Sequence, residues 1–370
     1  MTIGIDCRLW NETGVGRYIC NLVNELAKQD KKNTYVLFVL TKDISEVEGH
    51  VNENFKIVTV DIRWHSIEEQ LLLPEILRKE NVDLMHFPYF SVPVLYNKPF
   101  VVTIHDLIID HYPTGEATTH NPVLYNIKRQ GYKYIIKQAA KKARAVITVS
   151  HATEEEIIDH LGVEKKKLFV TYEGIGEKLI KSKHNAKKIE NRFFLHVGNV
   201  YPHKNTDRLL RAFIIFLKTN PDIQIIFVGK EDFFFKKLKN KVNLLDLEKS
   251  VIFTGLVSDE ELAGYYEQAE AVIIPSLMEG FGLPAVEAMA QSCLVLASDI
   301  PSLHEICEDS ALYFDPLKEH DIAKCMEKAL QLPIAKKKEI IAHGKKRINQ
   351  FSWKKMAEET ITIYEGCIGV

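Results

Sequence analysis

Two carboxylates eight positions apart, Glu279 and Glu287, bracket the loop glycines Gly280 and Gly282 in the stretch from Pro275 to Ala290. A buried-strand run, Ala271–Ile274, leads into the loop, and Pro284 suits a helix start, where no backbone N–H is needed. The glycines let main chain approach a ligand closely. The free N–H groups of a helix entrance at Leu283 favour an anion. Carboxylates accept hydroxyl donors well, so the two glutamates suit a polyhydroxylated ligand beside that anion. The blander alternative is a strand–turn–helix in which Glu287 only complements the helix dipole.

Three further places could carry chemistry. Gly198-Asn-Val-Tyr-Pro-His203-Lys204-Asn205 follows another buried run, and Lys204 is a point charge able to neutralise a diphosphate. The alternative is a solvated loop lysine. Thr13-Gly14-Val-Gly16-Arg17-Tyr18 begins like a dinucleotide fingerprint, but Ile19 stands at the third glycine position. That counts against a nicotinamide oxidoreductase. Val101-Val-Thr-Ile-His105-Asp106 ends a strand in two polar groups, with Asp106 placed to orient His105 or to bond a substrate. The alternative is a histidine merely satisfied at a strand end. Residues Asn126–Ala145 carry seven Lys/Arg and no Asp/Glu at helical spacing. They make either a solvated face or a patch for anionic lipid headgroups.

These residues need a scaffold that brings strand ends together. Short apolar, β-branched runs alternate with helical patterns through the chain. In the first half they are Thr2–Asp6, Thr34–Leu40, Phe55–Val60, Val82–Phe87, Phe100–His105, Ala145–Val149 and Leu168–Thr171. In the second they are Phe193–Val197, Ile223–Val228, Val251–Thr254, Ala271–Ile274, Leu294–Ala297 and Ala311–Phe314. Alternation of this kind predicts doubly wound α/β sheets. The charged segment Glu173–Arg192 reads as the junction between two Rossmann-like halves facing a central cleft. The expected domains are 1–180, joined by a returning helix over 352–370, and 181–351.

Composition limits the function classes. The chain has 370 residues, and Lys+Arg of 48 against Asp+Glu of 50 argues against a nucleic-acid protein. No run approaches the ~18 apolar residues of a membrane span. Six scattered cysteines form no Cys-x-x-Cys pair, which predicts reduced thiols in a cytoplasmic protein. No Asp-x-Asp pair or His/Cys cluster suggests a metal, and no cofactor is expected.

Together these motifs resemble the retaining nucleotide-sugar glycosyltransferases of family four (group 1), which have the GT-B fold. The likeness covers nearly the whole chain. It runs through Gly4-Ile-Asp6-Cys-Arg8, the glycines Gly14 and Gly16, His105-Asp106, Val149-Ser150, Gly198 to Asn205, and Ser298 to Pro316. Its most specific element is Glu279-Gly-Phe-Gly-Leu-Pro-Ala-Val-Glu287.

The resemblance implies that Glu287 holds the donor ribose. It implies that Glu279, with the backbone of Gly280, Phe281, Gly282 and Leu283, holds the transferred sugar. Lys204, with Gly198 and His203 beside it, would neutralise the diphosphate. His105 would touch the sugar, Gly14 and Gly16 would line the phosphate side, and Arg17 and Asp106 belong to the acceptor side. Many relatives carry an arginine in the loop that here reads Asn199 to His203, which leaves a second cation on the diphosphate to His203, as a weaker or pH-dependent charge, or to another residue such as Arg208.

The implied activity is metal-independent hexose transfer with retention, from GDP-mannose or alternatively UDP-glucose or a UDP-N-acetylhexosamine. The acceptor would be a glycan or lipid-linked hydroxyl in polysaccharide assembly, met in the cytoplasm or at the inner membrane face. A non-catalytic sugar-binding module is the competing class.

Overall fold

The computed structural model describes residues 1–112, 122–176, 179 and 189–368. The chain divides into two compact units. The described residues of 1–110, 120–173 and 352–370 form the first, and those of 111–119 and 174–351 the second. The expected boundary at 180/181 lies outside the described residues.

The first unit is built on parallel strands β1 Thr2–Asp6, β2 Thr34–Val39, β3 Phe55–Thr59, β4 Leu84–Phe87, β5 Phe100–Ile104, β6 Ala145–Thr148 and β7 Leu168–Val170. They lie in the order β3-β2-β1-β4-β5-β6-β7. Every residue of β4, β5 and β6 is buried, as expected of strands covered by helices on both faces. The helix Thr13–Gln29 turns Tyr18, Leu22, Val23 and Leu26 inward. The helix Trp353–Ile368 packs on it, with the Tyr18 and Trp353 rings 6.4 Å apart.

The second unit has parallel strands β8 Phe193–Val197, β9 Gln224–Val228, β10 Val251–Gly255, β11 Ala271–Ile274, β12 Val295–Ser298 and β13 Ala311–Phe314. Their order is β10-β9-β8-β11-β12-β13. A phenylalanine-rich core of Phe194, Phe213, Phe216, Phe227 and Phe235 packs one face of this sheet. Each unit is a Rossmann-like doubly wound sheet, as expected.

The observed strands match the expected runs to within two residues at each end. The largest difference is at β4, which starts at Leu84. There the carboxylate of Asp83 accepts the Thr2 N–H at 2.8 Å, while its own N–H donates to the Thr2 carbonyl at 2.8 Å. In each sheet the strand order reverses once, between β1 and β4 and between β8 and β11. At such a reversal the loops diverge and leave a crevice at the carboxyl ends of the two strands.

Candidate functional site

The crevice between β8 and β11 collects the charged groups picked out from sequence. After β8 the chain passes Gly198 at φ +123°, then a 3₁₀ turn, Pro202–Lys204, and then Asn205 at φ +57°. A side chain on Gly229, at the end of β9, would strike the Gly198 carbonyl at 2.2 Å, so only glycine fits there. After β11 the loop from Pro275 reaches Gly282 at φ +97°, which caps the helix Leu283–Ala290 with Pro284 in its first turn. A Cβ on Gly282 would also meet Leu303 at 2.8 Å.

Backbone and side-chain bonds tie the two loops together. The Leu277 N–H donates to the His203 carbonyl at 2.7 Å. The Asn205 amide donates to the carbonyls of Pro275 at 3.0 Å and Pro316 at 2.8 Å. Those bonds place Lys204 against Glu279. The ammonium donates to both carboxylate oxygens, at 2.7 and 2.9 Å, and Ser276 Oγ donates to the first at 2.6 Å. Burial alone would raise the Glu279 carboxyl. The Lys204 charge and the bonds from Lys204 and Ser276 outweigh it and hold the group below the usual carboxylate range.

Glu287 is buried, and the Tyr266 hydroxyl donates to it at 3.0 Å. Phe281 is buried edge-on to Phe351 at 5.4 Å. His203 is buried too, and its Nδ1 has no hydrogen-bond partner among the described residues. Burial, then the Lys204 charge, push its pKa down to about 4, so near pH 7 it is a neutral imidazole and not a second cation. Arg208 turns to the side chain of Asn205 at 2.9 Å, the carbonyl of Pro316 at 3.3 Å and Glu319 at 3.5 Å. Neither group supplies the free positive charge expected for a second phosphate.

The first unit carries the other candidates. His105 follows β5, and its Nε2 donates to the Pro88 carbonyl at 2.9 Å, which leaves Nδ1 facing Glu173 Oε1 at 3.4 Å. The Tyr18 ring meets it edge-on at 4.8 Å. Pro88 and Glu173 hold this ring, and the Asp106 carboxylate accepts the Ile108 N–H at 2.9 Å.

Gly16 serves packing: a Cβ there would lie 2.3 Å from the Trp10 carbonyl oxygen. Gly14 has open space around its Cα, and Arg17 is half-buried on the same helix. Ser276, Tyr266 and Glu173 escaped the sequence reading. Each acts through a partner distant in sequence or through a loop geometry that spacing does not reveal.

The chain is similar to several known proteins. A family model described as Glycosyl transferases group 1 matches residues 177–347, and one described as Glycosyltransferase Family 4 matches residues 13–178. The O-antigen chain mannosyltransferase RfbU of Salmonella typhimurium is 31% identical over 274 residues, 74% of this chain and 72% of that protein. O-antigen chain mannosyltransferase B of Escherichia coli is 26% identical over 375 residues, 95% of this chain and 96% of that one. Among solved structures, Anabaena Alr3699/HepE in complex with UDP-glucose is similar with a TM-score of 0.76 at 17% identity, covering 100% of both chains. That last likeness concerns the fold, which is that of the GT-B glycosyltransferases.

Proposed function

The chain belongs to the group 1 glycosyltransferases of family four, and from that membership we propose that it transfers mannose from GDP-mannose, with retention, to a hydroxyl of a glycan or lipid-linked acceptor. The observation that carries this is the Lys204–Glu279 pair in the β8/β11 crevice, beside a glycine-capped helix entrance. The choice of mannose is supported by two relatives named as O-antigen chain mannosyltransferases. UDP-glucose, which the Anabaena structure contains, is the alternative donor.

The bond from the anomeric carbon to the diphosphate breaks while the bond to the acceptor oxygen forms. The transition state is oxocarbenium-like, with negative charge growing on the leaving phosphate. Lys204 and the N–H groups at Leu283 stabilise that charge, and no metal or cofactor is invoked. When the diphosphate takes Lys204, Glu279 is released to accept sugar hydroxyls. Glu287, oriented by Tyr266, accepts those of the ribose. Because His203 is neutral, it serves as a hydrogen-bonding group for the diphosphate, leaving Lys204 as the cation. Attack comes from the face the diphosphate leaves, and the acceptor proton passes to a phosphate oxygen. For His105, Gly14 and Gly16 we retain the roles that the family resemblance implies. We also infer that the basic segment 126–145, most of it in the helix Pro122–Lys142, touches an anionic lipid surface.

Thermal-shift measurement against GDP-mannose, UDP-glucose, UDP-N-acetylglucosamine, NADH and free mannose tests the donor assignment. GDP-mannose is expected to raise the apparent Tm, and Lys204→Ala to abolish that shift and slow transfer roughly 100- to 1,000-fold. Stabilisation by free mannose alone, or wild-type transfer by Lys204→Ala, would overturn it.

A further inference from the structure

His105 is held by groups of its own unit. It follows β5, and Glu173 follows β7, so the two strands that flank β6 bring them together at the carboxyl end of β6. The Thr153 hydroxyl, in the first turn of the helix His151–Leu161, donates to the His105 carbonyl at 3.4 Å. The Tyr18 ring stands edge-on to the imidazole at 4.8 Å, and its hydroxyl lies 3.3 Å from that of Thr103 on β5. Main chain and one side of the ring are thus fixed, and the two ring nitrogens remain to be satisfied.

Both nitrogens meet acceptors. Nε2 lies 2.9 Å from the Pro88 carbonyl oxygen, and Nδ1 lies 3.4 Å from Glu173 Oε1. A neutral imidazole carries one N–H, so with a carboxylate opposite it would set the Nδ1 lone pair against a second acceptor. A ring with a proton on each nitrogen donates to both.

The carboxylate makes the same demand. Glu173 is 5% exposed and His105 9%. Among the described residues His105 is the one ion-pair partner of Glu173, and no side-chain hydrogen bond reaches that carboxylate. A carboxylate removed from water in this way is costly without a cation beside it. The other titratable groups around the ring supply none. Burial keeps the Tyr18 hydroxyl protonated and holds His86, on β4, neutral with its pKa down at about 3. Asp106 turns to the Ile108 N–H, and Glu154, on the helix after β6, faces His151 at 3.0 Å. Replacing a buried pair by apolar residues often costs no stability, so stability alone does not account for this one.

We propose that Glu173 is the positioning residue of His105: it keeps a proton on Nδ1 while the Pro88 carbonyl keeps one on Nε2, so that the ring is a fixed imidazolium at the carboxyl end of β5. Locked at both nitrogens, the ring neither flips nor exchanges tautomers, and its orientation is set before a substrate arrives. The 3.4 Å contact is long, as in ligand-free sites whose hydrogen bonds close in the complex. That this orientation serves sugar transfer rests on the transferase function proposed above.

The test uses the full chain labelled with 15N at its histidines, whose ring nitrogen shifts report the protons on each imidazole. The His105 signals are those lost in His105→Gln. At pH 7 the wild-type protein should show His105 protonated on both nitrogens. Glu173→Gln keeps the shape without the charge, and its amide can donate to a bare Nδ1, so the ring should revert to the neutral form with its proton on Nε2. Turnover is read as release of GDP from GDP-mannose or UDP from UDP-glucose, with methyl α-D-mannopyranoside offered as acceptor. Glu173→Gln should lower kcat about 10- to 100-fold with the donor KM within about threefold. Glu173→Asp, which keeps the charge, should keep the doubly protonated signature and recover part of that kcat. A neutral wild-type ring, a signature that Glu173→Gln leaves unchanged, or wild-type kcat in that variant overturns the proposal. If the signature changes as expected while the wild-type protein turns over neither nucleotide sugar, the pairing stands and the transferase reading falls.

Discussion

Lys204 and Glu279 neutralise one another in the protein without ligand, and their side chains are only 16% and 8% exposed. The two are not interchangeable in what their loss does. Without Lys204, Glu279 is a buried carboxylate left with Ser276, and removing one partner of a buried pair commonly costs about 3–5 kcal/mol. Without Glu279, Lys204 has a longer side chain that can move toward water. Urea unfolding of Lys204→Met, Glu279→Gln and the double variant should show the lysine variant as the least stable, with part of its loss recovered in the double. Equal losses that simply add would mean the pair is not coupled. Both charges were legible in sequence because strand ends, glycines and a helix start converge on them. Their supports were not. Ser276 lies three residues before Glu279, and Tyr266 lies on another helix, 21 residues before Glu287. Only the loop path and helix packing bring such groups to their carboxylates.

At the scale of elements, the strands were legible because nearly every residue in them is apolar and both sheet faces are covered. The conformation of Asn205 was not. A left-handed asparagine is uncommon, and here two carbonyls from distant loops hold it in place. The basic helix Pro122–Lys142 shows a similar limit. Of its seven positive charges, counted through Arg144, Arg129, Lys133, Lys137, Lys141 and Arg144 read as one face in sequence. In the structure Lys133 and Arg129 turn to Asp110, at 3.4 and 2.7 Å, whereas Lys128, Lys137, Lys141, Lys142 and Arg144 are exposed. Ile127 and Tyr134 are exposed on the same helix. Surface-exposed basic residues near an anionic bilayer are worth about 1 kcal/mol each. Lys137→Glu with Lys141→Glu should therefore cut binding to phosphatidylserine vesicles by more than tenfold at low salt. Unchanged co-sedimentation would leave the helix with a merely solvated face.

Across the whole molecule, four histidines among the described residues, two in each unit, have pKa values pushed far below the ordinary one; His86, His196 and His203 are buried and His65 is half-buried. His65 and His86 lie in the first, His196 and His203 in the second. Burial, the largest cause in each, pushes the pKa of His86 down to about 3 and of the other three to about 4. The unfolded chain takes up these protons near the ordinary value of 6.5, whereas the folded protein refuses them until pH 4 or below. Protons thus bind the unfolded state preferentially between those limits, and stability must fall as the pH is lowered through that window. It is fully present above pH 6.5. For a shift from 6.5 to 4 the loss is about 2 kcal/mol per histidine by pH 5 and about 3 by pH 4. Glu279 adds to the loss only below its ordinary range, because its folded pKa is depressed. Calorimetry at pH 7.5, 6.0 and 5.0 should find the apparent Tm falling at both steps, with about 0.8 kcal/mol per histidine already lost at pH 6.0 and about 2 at pH 5.0. His203→Gln should flatten the descent of the second unit while sparing that of the first. A Tm as high at pH 5.0 as at 7.5 would mean that these imidazoles take up protons while folded, and with that the neutral partner proposed for the diphosphate would be lost.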